Sequence, residues 1–123
     1  MSDKPEIDFP EGPAPTALQV EDVTEGVGAE AAPGTTAVVH YVGVAYSTGE
    51  EFDSSWNRGE PFSFPLGAGA VIAGWDRGVV GMKVGGRRRL VIPPDLAYGD
   101  RGAGAVISPG ETLIFMVDLL DIR

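Results

Sequence analysis

At 123 residues the chain suits one domain, because two halves would each be too small for a comfortable core. Its 43% hydrophobic and 22% charged residues are those of a packed globular protein, while 18 Gly and 10 Pro favour turns and strands over long helices. Zero Cys excludes disulfides, a thiol nucleophile, a thiolate zinc site and iron–sulfur chemistry, and a net charge of −9 disfavours nonspecific nucleic-acid binding. No apolar run approaches a membrane span, and the acidic start around Asp3, Glu6 and Asp8 does not read as a secretory signal. A protein with no nucleic-acid or membrane partner, monomeric and cytoplasmic, is the expectation. The charge is lopsided: residues 1–33 carry eight acids and one Lys, whereas the remainder is almost neutral, which suits solubility better than a partner code.

Residues 1–16, with Pro5, Pro10, Pro13 and Pro15 among acids, are predicted to be a flexible acidic arm, and residues 17–123 the domain proper. Within the domain, Ala17 to Val23 is a candidate first strand, followed by a Gly-, Ala- and Pro-bearing connection from Glu25 to Gly34. Thr35 to Tyr46, rich in Thr, Val and Tyr, predicts a strand with Val39 and Tyr41 on one face and Val38, His40 and Val42 on the other. Ser47 to Glu50 is a turn, and a polar excursion through Asn57, Arg58 and Gly59 follows Ser54-Ser55. Phe62 and Phe64, between Pro61 and Pro65, point to one side of a short extended piece. The spacing of Ile72, Trp75, Val79 and Met82 predicts a helix, kept short by Gly74, Gly78 and Gly81. Arg87 to Ile92 and Thr112 to Ile122 are strands, separated by a Gly-rich loop from Gly99 to Gly110 of the length that compact domains reserve for function. The sum is an α+β fold in which antiparallel strands cover one short helix.

The inventory of reactive groups is thin. His40 is the only histidine and sits on a strand, where an exposed or satisfied structural role is its ordinary reading. Ser54-Ser55 lacks the glycine framing of a nucleophile elbow. Arg87, Arg88 and Arg89 alternate across a strand, so a solvated sheet surface is expected in place of an anion site. Neither Gly67-Ala68-Gly69 nor Gly85-Gly86 is followed by the Lys-Thr or Lys-Ser of a phosphate cradle. No metal or cofactor is implied. What remains is a set of aromatic residues, Tyr41, Phe52, Trp56, Phe62, Phe64, Trp75, Tyr98 and Phe115, drawn from separate segments and flanked by turns. They fit either an ordinary core or a concave aromatic pocket.

Three groups of motifs carry a resemblance. The first is Val38-Val39-His40-Tyr41-Val42-Gly43 with Gly49-Glu50-Glu51-Phe52-Asp53-Ser54-Ser55. The second is Pro61-Phe62, Phe64-Pro65-Leu66-Gly67, Val71-Ile72 and Gly74-Trp75. The third is Met82 with Val84-Gly85, Ile92-Pro93-Pro94, Ala97-Tyr98-Gly99 and Thr112-Leu113-Ile114-Phe115. In this order they resemble the FKBP family of peptidyl-prolyl isomerases, as a minimal single-domain member, from about Leu18 to Arg123. The resemblance implies a five- to six-stranded antiparallel sheet wrapped round one short helix, with a pocket between them that accelerates rotation about Xaa-Pro bonds and assists protein folding. It places Tyr41, Phe62 and Phe115 on the pocket wall, Trp75 on its floor and Phe52 beside the wall. Tyr98 is implied as a hydroxyl donor, and Asp53 as a carboxylate at the buried edge that pairs with Arg58. Val71 and Ile72 form the rim, with the Ile72 amide as a donor to a ligand carbonyl, and Val106 and Ile107 are the apolar contacts of a flap. Asp53 is left with two roles, tuning the field on that carbonyl or anchoring Arg58.

The implied partners are Xaa-Pro segments of client proteins, and rapamycin or tacrolimus as ligands. A noncatalytic module that grips proline-bearing segments, or docks through a macrolide, is the alternative. Val71-Ile72 runs straight into Gly74-Trp75, with no room for the apolar lid that chaperone-type members insert there. Ile107-Ser108-Pro109 stands where the family often has Ile-Pro-Pro, and Ala103-Gly104 replaces bulkier residues, which implies a looser flap.

Overall fold

Alternation of apolar side chains along one long strand organises the molecule. The computed structural model describes residues 4–7, 12–103 and 107–123. Among these, six strands form one antiparallel sheet: β1 Gln19–Thr24, β2 Thr36–Ala45, β3 Glu51–Ser54, β4 Phe62–Pro65, β5 Arg87–Ile92 and β6 Leu113–Ile122. The order across the sheet is β1-β5-β6-β2-β3, and β4 pairs with β2 as well. Two helices, α1 Ser55–Arg58 and α2 Ala73–Gly78, complete the regular structure with short 3₁₀ turns at Pro94–Leu96 and Gly99–Arg101. The expected α+β sheet-around-a-helix is present. The predicted strands match to within a residue or two, while α1 replaces the expected polar excursion.

One face of the sheet carries the core. Val39, Tyr41, Leu90, Ile92, Leu113, Phe115, Val117 and Leu119 share that face, and Phe64 and Leu66 join them from the β4 side. α2 crosses this face, and its glycines decide how closely. A Cβ on Gly74 would lie 2.7 Å from Ile92 Cδ1, and one on Gly78 2.8 Å from Leu90 Cδ2. The helix backbone therefore rests directly on β5, an approach that side chains would prevent. The helical stripe predicted through Met82 is shorter than its spacing suggested: Val79 and Met82 are buried, but beyond the end of α2.

The arginine run is a correction. A solvated surface was expected, but Arg88 points to the helix-covered face and is largely buried. It donates to the Gly78 and Val80 carbonyls at 2.8 and 2.9 Å and to Asp22 on β1 at 2.7 Å. The guanidinium thus satisfies carbonyls at the end of α2 that would otherwise lack partners. On the opposite face Arg87 makes a two-pronged pair with buried Asp118. Alternation separated the three charges as predicted, but two of them found buried or half-buried partners.

On the outer face, Val44, Val91 and Ile114 form a small second cluster, against which Ile7 and Tyr46 pack. The described parts of the N-terminal arm meet the sheet there: Lys4 Nζ reaches Glu51 at 2.7 Å and Asn57 at 2.9 Å, and Tyr46 Oη lies 3.2 Å from the Gly12 and Pro13 carbonyls. Among the described residues no helix is long and apolar enough to cross a membrane.

The close approach of α2 to β5 predicts that Gly74→Ala destabilises the protein by about 1–3 kcal/mol, as overpacking of a filled core does. Urea unfolding monitored by Trp fluorescence checks this, and a loss below about 0.5 kcal/mol would mean that the helix shifts freely on the sheet.

Candidate active site

β3 and β4 run along the same edge of β2, one after the other. β4 pairs with Thr36 to Val39 and β3 with Val42 to Val44, so the ladder is interrupted beside His40 and Tyr41. α1 fills the gap. Its residue Ser55 is fully buried and accepts the Tyr41 N–H at 2.7 Å, taking the place of a missing strand partner. Ser55 Oγ also lies 2.7 Å from Nδ1 of buried His40, whose ring stacks on Trp56 at 4.9 Å. The lone histidine is thus a satisfied structural residue, as expected. Trp56, counted among the candidate pocket aromatics, lies on the outer face with it.

Ser54 caps α1 by accepting the Asn57 N–H, and Gly59, at φ 74, ends it. One turn of helix is enough to bring Arg58 back over the Tyr41 ring, its guanidinium carbon 5.4 Å from the ring centre. Arg58 donates to Asp53 at 2.5 Å and to the Tyr41 hydroxyl at 3.0 Å, and that hydroxyl donates to Asp53 at 2.5 Å. Asp53 also accepts its neighbour's amide, Ser54 N–H, at 2.9 Å. Both carboxylate oxygens are therefore engaged.

A bulge aims two consecutive residues the same way. Gly43 pairs with Asp53 but Val44 pairs with Glu51, which leaves Phe52 as the extra residue in β3. Strict alternation would send Phe52 and Asp53 to opposite faces; with the bulge both line one cavity. That cavity, of about 220 Å³, is bounded by Tyr41, Phe52, Asp53, Phe62, Ala70, Val71, Ile72, Trp75, Tyr98 and Phe115.

Trp75 is its structural centre. Tyr41 stands at 4.9 Å and 82° to the indole, Phe115 at 5.3 Å and 86°, and Phe62 at 6.0 Å and 70°. Phe64 supports the indole at 5.4 Å. Such edge-to-face pairs contribute about 0.5–1.5 kcal/mol each beyond the area they bury. Among the described residues the Trp75 Nε1–H is the one buried side-chain polar atom without a hydrogen-bond partner.

The rim offers polar groups that are not used internally. Tyr98 is 41% exposed, and neither its hydroxyl nor the Ile72 N–H has a hydrogen bond to the described residues. The loop beneath the rim is tied to α2 by Asp76, which accepts the Gly67 and Gly69 amides at 2.9 and 3.0 Å. A second cavity, of about 260 Å³, lies between Asp22, Glu30, Lys83 and Arg88. It is slightly larger but polar, and Arg88 is already committed to Asp22 and to two carbonyls, so it reads as the joint between β1 and α2.

The model of the family described as "FKBP-type peptidyl-prolyl cis-trans isomerase" matches residues 28–120. The chain belongs to that family. It is 64% identical over 121 residues to an FK506-binding protein of Streptomyces anulatus, covering 98% of each chain. It is 51% identical over 94 residues to the peptidyl-prolyl cis-trans isomerase FPR2 of Saccharomyces cerevisiae, covering 76% of this chain and 70% of that one. The crystal structure of AtFKBP13 superposes with a TM-score of 0.81 at 42% identity, over 89% of this chain and 96% of the other.

Most of the site residues expected from resemblance to FKBP proteins converge on the aromatic cavity. Arg58 stands behind it, paired with Asp53 and Tyr41. Ile107 does not line it: it is 4% exposed in the main core and bridges to Ala103. Val106 lies outside the described residues. Sequence reasoning missed Ala70 on the wall, Asp76 under the rim and Ser55 behind Tyr41. The signal for Asp76 was present, an acid in the first turn of a helix that follows Gly-Ala-Gly. Ser55 carried none, because only the interrupted ladder gives it a task.

Burial first, and then the hydrogen bond to Asp53, hold the Tyr41 hydroxyl above its ordinary pKa of 10, with Arg58 acting in the opposite direction. The neutral phenol is the form that the folded state favours. Its stabilisation is therefore fully present below about pH 10 and is lost as pH rises through the higher folded-state value. Absorbance titration of tyrosinate is expected to show a late-ionising component that disappears in Tyr41→Phe. Identical titration curves for the two proteins would contradict this geometry.

Proposed function

We propose that this FKBP-type isomerase catalyses Xaa-Pro rotation in the aromatic cavity itself, with the prolyl ring seated on Trp75. The observation that carries the reading is the pairing of a cavity lined by Tyr41, Phe52, Phe62, Trp75 and Phe115 with two rim donors that have no hydrogen bond among the described residues, the Tyr98 hydroxyl and the Ile72 amide. Rotation about an imide needs no acid, base or metal. It needs loss of amide resonance, whose barrier is about 18–20 kcal/mol. The planar imide has charge separated between oxygen and nitrogen, and the twisted form has less. An apolar wall therefore disfavours the planar form relative to the twisted one, while the two rim donors hold the carbonyl in place. Differential stabilisation of about 4 kcal/mol corresponds to roughly a thousandfold acceleration.

Asp53 fits the anchoring role better than the field-tuning one. Its oxygens already accept Tyr41, Arg58 and the Ser54 amide, so it fixes the Tyr41 ring edge-on to Trp75 instead of facing substrate as a free base. With side chains 40% and 47% exposed, the Asp53–Arg58 pair contributes geometry more than stability. Val71 and Ile72 act as rim contacts. Val106 and Ile107 act as the apolar contacts of the flap, and Ile107 packs in the cluster that also holds Tyr41, Trp75 and Phe115.

Substrates in this reading are Xaa-Pro segments of client proteins. Rapamycin or tacrolimus occupy the same cavity, in keeping with the FK506-binding names of the bacterial relatives. A monomer working in the cytoplasm suits a chain without Cys.

A protease-coupled or NMR exchange assay on Xaa-Pro peptides, repeated with either macrolide, tests the reading. Acceleration abolished by the macrolide is expected; acceleration that persists with the cavity occupied would place the chemistry elsewhere. Trp75→Ala is expected to lower kcat/KM by tenfold or more, on the order of 1.4 kcal/mol or above, and Tyr98→Phe by less. Undiminished prolyl turnover in Trp75→Ala would rule out the seat on the indole.

A further inference from the structure

We infer that Gly43 is a specificity-determining residue of the pocket. Its missing side chain lets the Phe52 ring lean on Phe115, and that contact sets the width of the wall met by the side chain that precedes proline. The inference rests on the reading of the cavity as the prolyl site.

Gly43 lies in the middle of β2, on the face that carries Val39, Tyr41 and Ala45. Glycine weakens a strand interior and calls for a reason. Turn geometry does not supply one, since Gly43 is not among the residues with positive φ. The reason is space. Phe115 on β6 pairs with Gly43 from one side and Asp53 from the other, next to the bulged Phe52. The two phenyl rings meet over the glycine at 5.5 Å and 89°. A Cβ on Gly43 would stand 2.6 Å from Phe52 Cζ and 2.7 Å from Phe115 Cε1, closer than real Cβ atoms come to ring carbons.

The two rings differ in their freedom to give way. Phe115 is 4% exposed and packs at 86° against Trp75, so it gives way less than Phe52 does. Phe52 is half-buried at the rim, on an extra residue in an edge strand, so it is the ring that moves. Its displacement alters the wall beside Asp53 and leaves Trp75, Tyr98 and the Ile72 amide in place. A side chain at position 43 therefore changes which residue is accepted before proline more than it changes rotation of the imide. Because alanine strains no backbone at this position, the effect belongs to the lost space.

The test compares kcat/KM for peptides that differ only in the residue before proline, Ala-Pro against Leu-Pro and Phe-Pro. Gly43→Ala is expected to lower the Leu-Pro and Phe-Pro values by about fivefold or more relative to Ala-Pro, chiefly through KM. In a Phe52→Leu background, where one of the two obstructing rings is gone, the same substitution is expected to shift that ratio less than twofold. Phe52→Leu alone reads the same wall without touching Gly43 and is expected to shift the ratio about threefold. Equal losses on all peptides, or the same shift in both backgrounds, would overturn the inference. An unchanged ratio in Phe52→Leu would overturn it even if Gly43→Ala failed to fold. No acceleration by the unaltered protein would instead sink the prolyl-site reading, whereas normal acceleration with unchanged ratios would sink the Gly43 inference alone.

Discussion

The perpendicular packing of aromatic rings around Trp75 is the contact on which the rest of the site depends. Tyr41, Phe62 and Phe115 reach the buried indole from three different strands at steep angles, and the indole still contributes to the cavity lining. The arrangement requires α2 to lie unusually low on the sheet. Gly74 and Gly78 permit that by placing no side chain between the helix and Ile92 or Leu90. Glycines that weaken the helix as a helix are therefore what allow it to bring Trp75 to the right depth.

Polar groups hold this apolar assembly in register. Tyr41 is gripped at both ends: its backbone N–H by Ser55, where the strand ladder is broken, and its hydroxyl by Asp53 and Arg58. Arg88 does the corresponding work behind α2, joining the Gly78 carbonyl at its end and the Val80 carbonyl just beyond it to Asp22 on β1. None of these groups is left over for proton transfer. Their arrangement suits chemistry in which the protein contributes shape and a low-dielectric surface instead of an acid or a base.

Period-two alternation made the long strands legible. Val39 and Tyr41 were separable from Val38, His40 and Val42 because β2 carries its side chains to opposite faces of the sheet without interruption. The gathering of aromatics from distant segments was visible too, although composition left core and pocket undecided until the ordered motifs pointed to the FKBP family. What escaped the sequence depends on breaks in regularity. The Phe52 bulge defeats alternation and turns a residue inward. α1 is a single turn too short to carry a period, yet it positions both Ser55 and Arg58. The burial of Arg88 is not legible in the sequence, because Asp22 is far away in the chain and the nearby Gly78 and Val80 carbonyls become partners only once α2 lies across β5. The packing of Ile107 in the cluster that holds Tyr41, Trp75 and Phe115 is likewise not legible, because resemblance gives positions and not packing.

The central claim is that the prolyl ring is held against the indole face within this ring of edges. Intermolecular NOEs between a tetrapeptide containing a labelled proline and the aromatic protons of the full chain test it most directly. The account predicts NOEs from the prolyl ring to Trp75, with weaker ones to Tyr41 and Phe115, under conditions where cis–trans exchange is accelerated. Accelerated exchange with prolyl contacts confined to the polar cavity near Asp22 and Arg88, or with none to Trp75, would contradict it.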